Sequence, residues 1–427
     1  MVKFIIIGMT DNPQPQFPPE VANVIARGRV FSGGRRHHEM VAGLLPDDST
    51  WIDITVPIDN VFVQYRALPD DSVVTVFASG DPLFFGFAAT IRHRWPAAEI
   101  EVLPTFNSLQ LLAHRLSLPY GHMRVVSLTG RPWNELDRAL IERVQLMGIL
   151  TDRHHTPAAI ARRMLDYGYL FYSMAVGERL GNPERERVAR LSLEEAAQTA
   201  FDMPCCVILE GVKEYDCRGE RKEERGERLL SEIRGCGGSE ARPFGIPDDR
   251  FALLNGREKM ITKMPVRLLT LQALDLSGRH VLWDVGFCTG SVSIEARLLM
   301  PHLQVVAFER RPECEAIIAD NARRLGAPGI EVHMGDFLQT DCEGIATPDA
   351  VFIGGHGGRL KDVMRKVWRH LAPGGVIVMN CVEAPAVTTD SKRLFAEACQ
   401  ELGLQMERPR RIVVDDYHPI TILKCRK

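Results

Sequence analysis

A rhythm that runs twice constrains the fold of this chain more than any other feature. Short apolar runs alternate with helical stretches up to about residue 212, and again from about residue 246 to the end. In the first block "KFIIIG", "SVVTVFASGDP", "AEIEVLP", "MRVVSLTG", "VQLMGILTD", "YSMAVGERLG" and "PCCVILEG" read as strands, and "PPEVANVIARG" and "TPAAIARRMLDYG" as helices. The first helix carries proline in its first turn and Gly28 after its end, as helix punctuation requires. Such alternation predicts α/β layers with substantial parallel sheet, since parallel strands need a crossover between them.

Between the blocks, "KEYDCRGERKEERGERLLSEIRGCGGSEAR" mixes both signs of charge and ends in glycines. That composition predicts a solvated linker, and the glutamates interleaved with the arginines argue against a basic nucleic-acid arm. The expected organisation is a first domain at 1–212 (subdomains about 1–104 and 105–212), a charged linker at 213–245 and a second domain at 246–427. At roughly 150 residues per domain, 427 residues accommodate this.

A net charge of −3 gives no electrostatic reason to expect nucleic acid or an anionic membrane as partner. The apolar run in "MVKFIIIGMT" is too short for a secretory signal, and no run approaches the roughly 20 apolar residues of a membrane span. The ten cysteines all follow residue 204 and show neither a Cys-x-x-Cys pair nor zinc-site spacing. The expectation is a cytoplasmic enzyme with reduced thiols and no protein-bound metal.

The second block carries the clearest site. "HVLWDVG", "QVVAFER", "IEVHMGD", "DAVFIGG" and "GVIVMNCV" read as strands, with helices at "PVRLLTLQALDL", "SVSIEARLLM", "PECEAIIADNARRLG" and "RLKDVMRKVWRHL". The last of these places Leu360, Val363, Met364, Val367 and Leu371 on one face, and the tail "RRIVVDDYHPITILKC" reads as two antiparallel edge strands. Ligands of α/β sheets bind beyond the carboxyl ends of the strands. Asp284 and the loop Gly286, Phe287, Cys288, Thr289, Gly290 follow the first strand. Glu309 ends the second, Gly335 and Asp336 follow the third, and Gly354, Gly355, His356 and Gly357 follow the fourth. A carboxylate at the second strand end accepts both ribose hydroxyls of a nucleoside, and one after the third accepts an adenine amino group. The first loop brings backbone N–H groups and a helix N-terminus to a carboxylate. Together these fit S-adenosylmethionine. A dinucleotide fits less well, because its Gly-x-Gly-x-x-Gly fingerprint meets Cys288 and Ser291. The glycines at 354–357 offer a wall for a large flat substrate, and His356 is a candidate substrate contact. Arg267, Lys263 and Arg359 are candidates to steer substrate carboxylates.

"FASGDPLFFG" at 77–86 ends a strand in a Gly-Asp-Pro turn. It resembles the Ser-Gly-Asp-Pro loop of the tetrapyrrole methylases, and "SGGRRH", "LTGRP", "LTDRHHTPAAIARRMLDYG" and "VGERLGNPERE" are similar to other stretches of that family, in particular of its precorrin methylases. The second half is similar to the decarboxylating precorrin methylases in "GIPDDRF", "KMITKMPVR", "WDVGFCTGSVSIEA" and "FIGGHGG". The resemblance covers nearly the whole chain. It implies a two-subdomain tetrapyrrole methylase fold followed by a Rossmann-like class I methyltransferase domain. It also implies one S-adenosylmethionine per domain, held by Gly80, Asp81, Pro82, Asn107 and Ser108 in the first, and by Thr262 with the strand-end residues in the second. Arg35, Arg36, Gly354, Gly355 and His356 would face a precorrin, methylated at C5 by the first domain and at C15 by the second. The second domain would also release CO2 from the C12 acetate, giving precorrin-8. A homo-oligomer is implied on the same ground.

Three places depart from the family pattern. The first strand runs into "GMTDNPQPQFPPE" with Gly8 alone, the Pro-Gly-x-Ser-Ser turn is "LPTFNSLQ", and Cys288 stands where a glycine is usual. Two other readings remain open at this point. One is a methyltransferase acting on RNA or another substrate through its second domain only, and the other makes the first half a binding or scaffolding module.

Overall fold

The computed structural model describes residues 2–212, 244–257, 260–383, 388–414 and 418–427. The charged stretch expected as a linker lies outside the described residues up to residue 243. The chain groups into two compact units. Met1–Pro132, Gln145–Arg162 and Tyr172–Gly211 form the first; Trp133–Val144, Arg163–Phe171 and Val212–Lys427 form the second.

The first unit contains two five-stranded sheets. One comprises β1 (Lys3–Met9), β2 (Val30–Gly33), β3 (Thr50–Asp53), β4 (Val73–Ser79) and β5 (Glu99–Leu103), in the order β3-β2-β4-β1-β5. Every pairing in it is parallel. Its centre, β1 and β4, buries Phe4, Ile6, Ile7, Val74, Val76 and Phe77, the continuous apolar run that a sheet covered on both faces demands. Strands β2 and β3 escape sequence reading because "VFSG" and "TWID" are too short to show a period. The other sheet comprises β6 (Arg124–Ser127), β7 (Leu146–Leu150), β8 (Tyr172–Glu178), β9 (Arg187–Leu191) and β10 (Cys205–Gly211), ordered β6-β7-β10-β8-β9. Only β6 and β7 pair in parallel there. This half of the first unit is thus a mixed sheet.

The second unit holds an eight-stranded sheet. Its strands are β11 (Val281–Val285), β12 (Gln304–Glu309), β13 (Ile330–Met334), β14 (Ala350–Ile353), β15 (Val376–Val382), β16 (Gln405–Met406), β17 (Arg410–Ile412) and β18 (Ile420–Arg426). The order is β13-β12-β11-β14-β15-β18-β16, with β17 also on β18. The five strands from β13 to β15 are parallel, so the sheet is Rossmann-like and its order switches between β11 and β14. The helix Leu360–His370 buries Leu360, Val363, Met364 and Val367, with Leu371 just beyond its end, as its periodicity predicts. The tail differs from expectation. Strand β18 is no edge strand: it lies between β15 and the short β16 and β17, because Ile422, Leu423 and Cys425 are apolar enough to be buried. Among the described residues no helix is long and apolar enough to cross a membrane.

Candidate functional site

The switch in strand order opens a cavity of about 530 Å³ beyond the carboxyl ends of β11 to β14. The loop after β11 forms its floor. Gly286 adopts φ +82°, and a Cβ there would lie 2.6 Å from the backbone nitrogen of Gly355. Only glycine lets this loop and the wall after β14 approach so closely. At the far end Gly290, φ +72°, precedes the helix Ser291–Leu299, and a Cβ would lie 2.4 Å from Ile318. Between them Phe287 and Thr289 are buried. Cys288 takes the left-handed conformation at φ +52°, with its side chain packed beside Phe287, Cys314 and Ile318.

Three carboxylates flank the loop, each in a different state. Asp284 is fully buried; Ser293 Oγ donates to its Oδ2 at 2.6 Å, while Oδ1 has no partner among the described residues. Burial pushes this carboxyl up to about 7 against the opposing hydrogen bonds from Ser293. Burial also acts to raise Glu309, but the Arg311 guanidinium and backbone N–H groups outweigh it and hold the carboxyl below its usual range. Asp336 accepts Arg359 Nη2 at 2.5 Å and the N–H of Leu338 at 3.1 Å, and is held low chiefly by Arg359. Gly335 and Asp336 line the cavity beside Glu309.

The opposite wall is Gly354, Gly355, His356 and Gly357. His356 is half-buried, its Nδ1 has no partner among the described residues, and burial lowers its pKa. Thr262 and Lys263 close the remaining side. Arg267 is not available to steer a substrate. It is wholly buried, donates to Glu295 Oε2 at 2.5 Å, Asp248 Oδ1 at 3.1 Å and the Thr262 carbonyl at 2.7 Å, and also bonds the Ile246 carbonyl. Its Cζ lies 4.9 Å from the Phe251 ring. The side chain therefore ties "GIPDDRF" and "MITK" to the helices Met264–Leu274 and Ser291–Leu299. Asn321 adds a second tie, bonding both backbone groups of Ala252 and the Thr289 carbonyl. Lys263 Nζ lies 3.9 Å from Asp248, and Arg359 is engaged with Asp336. Sequence reading missed Arg310, Arg311, Asn380 and His418, which also line the cavity. The two arginines follow Glu309 directly; the sequence reading took Arg310 as the end of the strand "QVVAFER" and gave Arg311 no role.

In the first unit three strand ends converge. A Cβ on Gly8 would lie 2.2 Å from the Gly80 carbonyl oxygen and 2.8 Å from the Thr105 nitrogen, so the single glycine after β1 is what admits the neighbouring loops. Gly80 in turn lies against Asn107, at 2.9 Å from a virtual Cβ to its Cα. Asp81 caps its own turn, accepting the N–H of Leu83 at 2.9 Å, and Pro82 is buried beside it. Asn107 caps the helix Ser108–Arg115 in a reciprocal box with Gln110. Its side-chain oxygen therefore serves the helix, and Ser108 opens that helix.

Arg36 bonds Asp11 and also donates to Ser79 Oγ at 2.9 Å; His37 Nε2 meets the same hydroxyl at 3.0 Å. Arg179 Nε lies 2.8 Å from the other oxygen of Asp11. Burial, then Arg36, lower His37 to about 4. Arg35 points away and pairs with Glu39 on its own helix. Sequence reading missed Asp11 and Arg179, although Asp11 lies two residues past the end of β1, where a strand-end acid is the signal to seek. The motifs "LTGRP" and "LTDRHHTP" interlock: Asp152 accepts the N–H groups of Gly130, His154 and His155. Among the described residues no three His, Cys, Asp or Glu side chains are grouped to hold a metal ion.

Both halves match described families. Residues 13–197 match the Tetrapyrrole (Corrin/Porphyrin) Methylases, and residues 255–424 match the Precorrin methyltransferase domain. Over nearly the full length, the chain is 30% identical to a Precorrin-6Y C(5,15)-methyltransferase [decarboxylating] of Sinorhizobium, covering 93% of this chain and 88% of that one. A protein of the same name from Mycobacterium tuberculosis is 28% identical over 95% of this chain and 92% of its own. The Cobalt-precorrin-6B C(15)-methyltransferase (decarboxylating) of Salmonella typhimurium is 42% identical over 30% of this chain and 66% of its own.

Proposed function

The chain belongs to the family of decarboxylating precorrin-6Y C5,15-methyltransferases, and from that premise we propose how its two units share the work. It is an S-adenosylmethionine-dependent methyltransferase of corrin biosynthesis that also removes a carboxyl group as CO2. The first domain, 1–212, methylates C5. The second, 246–427, methylates C15 and decarboxylates the C12 acetate, yielding precorrin-8. Each domain holds one S-adenosylmethionine. The observation that carries this division is the cavity at the ends of β11 to β14, which lies in the part of the chain matching precorrin methyltransferases.

The residues present fit that cofactor. The unpartnered, buried Oδ1 of Asp284 suits an ammonium group, and the loop Gly286–Gly290 with the helix start behind it suits a carboxylate. Glu309 would take the ribose hydroxyls and Asp336 the adenine amino group, and Thr262 in the same cavity lining would add a contact. When bound, the cofactor supplies a methyl group already activated on a sulfonium. The chain then needs to hold the acceptor carbon in line and keep water out, which is positioning rather than acid–base work. The glycine wall and His356 are the surfaces offered to the macrocycle. Loss of CO2 leaves an electron pair that the conjugated macrocycle accepts, so the chain's task there is to desolvate and orient the acetate. In the first unit Gly80, Asp81, Pro82 and Ser108 are the proposed cofactor contacts. Asn107 would contribute through its backbone or its amide nitrogen, since its oxygen is engaged, and Arg36 with Asp11 would face the substrate. A cytoplasmic homo-oligomer without nucleic-acid partner completes the proposal.

The test is incubation of the full chain with S-adenosylmethionine and metal-free or cobalt-bearing precorrin-6 substrate, followed by mass spectrometry. Gain of two methyl groups with loss of one CO2 is expected from one of them. Glu309→Gln should retain a single methyl gain and lose CO2 release. Unchanged mass with both substrates would refute the assignment.

A further inference from the structure

Glu309, assigned above to the ribose, is already fully engaged. Its Oε1 receives the N–H of Arg310 at 2.9 Å, the N–H of Arg311 at 3.0 Å and Arg311 Nε at 3.0 Å. Its Oε2 receives the N–H of Cys288 at 3.1 Å and Arg311 Nη2 at 2.6 Å. A carboxylate has about four lone-pair sites, and these five donors leave none for two vicinal hydroxyls. A nucleoside therefore binds only if donors leave. The N–H groups of Arg310 and Arg311 are held at the end of β12 by the chain itself, and Cys288 lies in a loop pinned by Gly286 N–H to the Phe308 carbonyl at 2.8 Å. The Arg311 side chain differs: it is about one-third exposed, sits on a flexible stem and lines the cavity. Asp336 offers a contrast, because two donors leave it open lone pairs, so its partner Arg359 need not move.

We propose that Arg311 is a displaceable counter-ion that couples the two substrates: ribose hydroxyls replace it on Glu309, and the released guanidinium then pairs with a carboxylate of the tetrapyrrole. The proposal rests on the reading of this cavity as the cofactor and tetrapyrrole site. Its chemistry is one of exchange. The charge-assisted fork is stronger than two neutral hydroxyl donors, so displacement opposes nucleoside binding. A polycarboxylate waiting at the mouth recovers the lost pairing. Nucleoside and tetrapyrrole then strengthen each other's binding, and the enhancement is reciprocal. Against burial, which acts to raise Glu309, this side chain and the backbone N–H groups together hold the carboxyl below its usual range; Asp284, Cys288 and Cys314 are the other titratable groups around it.

Calorimetry on the full chain tests this, with S-adenosylhomocysteine as nucleoside and cobyrinic acid as a stable corrin polycarboxylate. Measurement at about pH 8.5, well above the ordinary carboxylate range, removes protonation of Glu309 as a variable between the unsubstituted chain and the Arg311 variants. Glu309→Gln identifies the event in the second domain as the one it removes. In the unsubstituted chain each ligand should tighten the other about tenfold. Arg311→Met should tighten nucleoside binding alone by about threefold or more and abolish the mutual enhancement. Arg311→Lys, which keeps the charge without the fork, should retain part of it and covers the case in which the methionine variant folds poorly. Nucleoside binding unchanged or weakened by Arg311→Met, or an enhancement that survives it, overturns the proposal. If Glu309→Gln removes no binding event, the cofactor reading of the cavity itself fails, an outcome distinct from failure of the coupling alone.

Discussion

Replacing Arg267 by methionine should cripple the second unit without touching the floor of its cavity. Arg267 and Glu295 are both essentially inaccessible and 2.5 Å apart. Methionine roughly fills the space but leaves Glu295 buried with, among the described residues, only the N–H of Ile246, at 2.9 Å, to support its charge. Removing one member of a buried pair costs about 3–5 kcal/mol. The carbonyls of Ile246 and Thr262 also lose their donor, at about 1 kcal/mol or more each. These terms share one side chain and do not add fully, so about 4–5 kcal/mol is expected, a large part of the roughly 5–15 kcal/mol that holds a domain folded. Arg267→Met combined with Glu295→Leu removes the stranded charge and should cost only about 1–2 kcal/mol. Because a chain of two units need not unfold in a single step, the assay should read the unit itself. Hydrogen exchange of the β11 amides, followed by mass spectrometry of the full chain, reports its opening free energy. The freed "GIPDDRF" and "MITK" segments would also withdraw Thr262 from the cavity and weaken S-adenosylhomocysteine binding. A single substitution costing below about 1 kcal/mol, or a double one costing as much as the single, would refute the view that this pair holds these segments in place.

Three further outcomes are expected. Cys288→Gly should leave S-adenosylhomocysteine affinity within about threefold, because the loop contributes backbone N–H groups and glycine suits the left-handed conformation at 288; a large loss by calorimetry would assign the thiol a direct role. Asp284 is raised from 3.8 to about 7 by burial, so its favourable contribution to folding is complete below its unfolded value and is lost as pH rises through about 7. The second unit should accordingly be less stable at about pH 8 than at pH 5 by an increment that Asp284→Asn removes, and cofactor affinity should rise over the same interval as the ammonium group favours the ionised form; an identical pH slope in the variant would contradict both. Asp11→Asn leaves Arg36 and Arg179 facing each other across a neutral side chain. It should abolish methylation at C5 while C15 methylation and CO2 loss persist, seen as a single methyl gain; full double methylation would exclude Asp11 from the first site.

Much of the site was legible before any coordinates. Strand ends and tight turns are written locally, in an apolar run followed by glycine or an acid. Glu309 and Asp336 could therefore be placed around one cavity from spacing alone, and Gly286 and Gly290 at the two ends of its floor, whereas Asp284, buried in β11 just before that floor, does not line the cavity. The family resemblance added Thr262, whose position beside the cavity no local pattern announces. The strands β2, β3 and β9 stayed hidden because short or mixed segments carry no measurable period. The mixed pairing of the second sheet stayed hidden because strand order is settled by which distant runs meet.

The amino-acid sequence by itself determined the α/β rhythm, the two blocks, the glycine-bounded loop and the acids at the strand ends, since each depends on residues a few positions apart. Only the tertiary structure decided what each charge does. Arg267, read as a cation for substrate, became the buried partner of Glu295, and Arg311, unremarked, became the clamp on Glu309. Asp11 gained two arginines from remote parts of the chain. The physical reason is that a charge's role follows from its burial and its nearest opposite charge, and both are products of long-range packing rather than of neighbours along the chain.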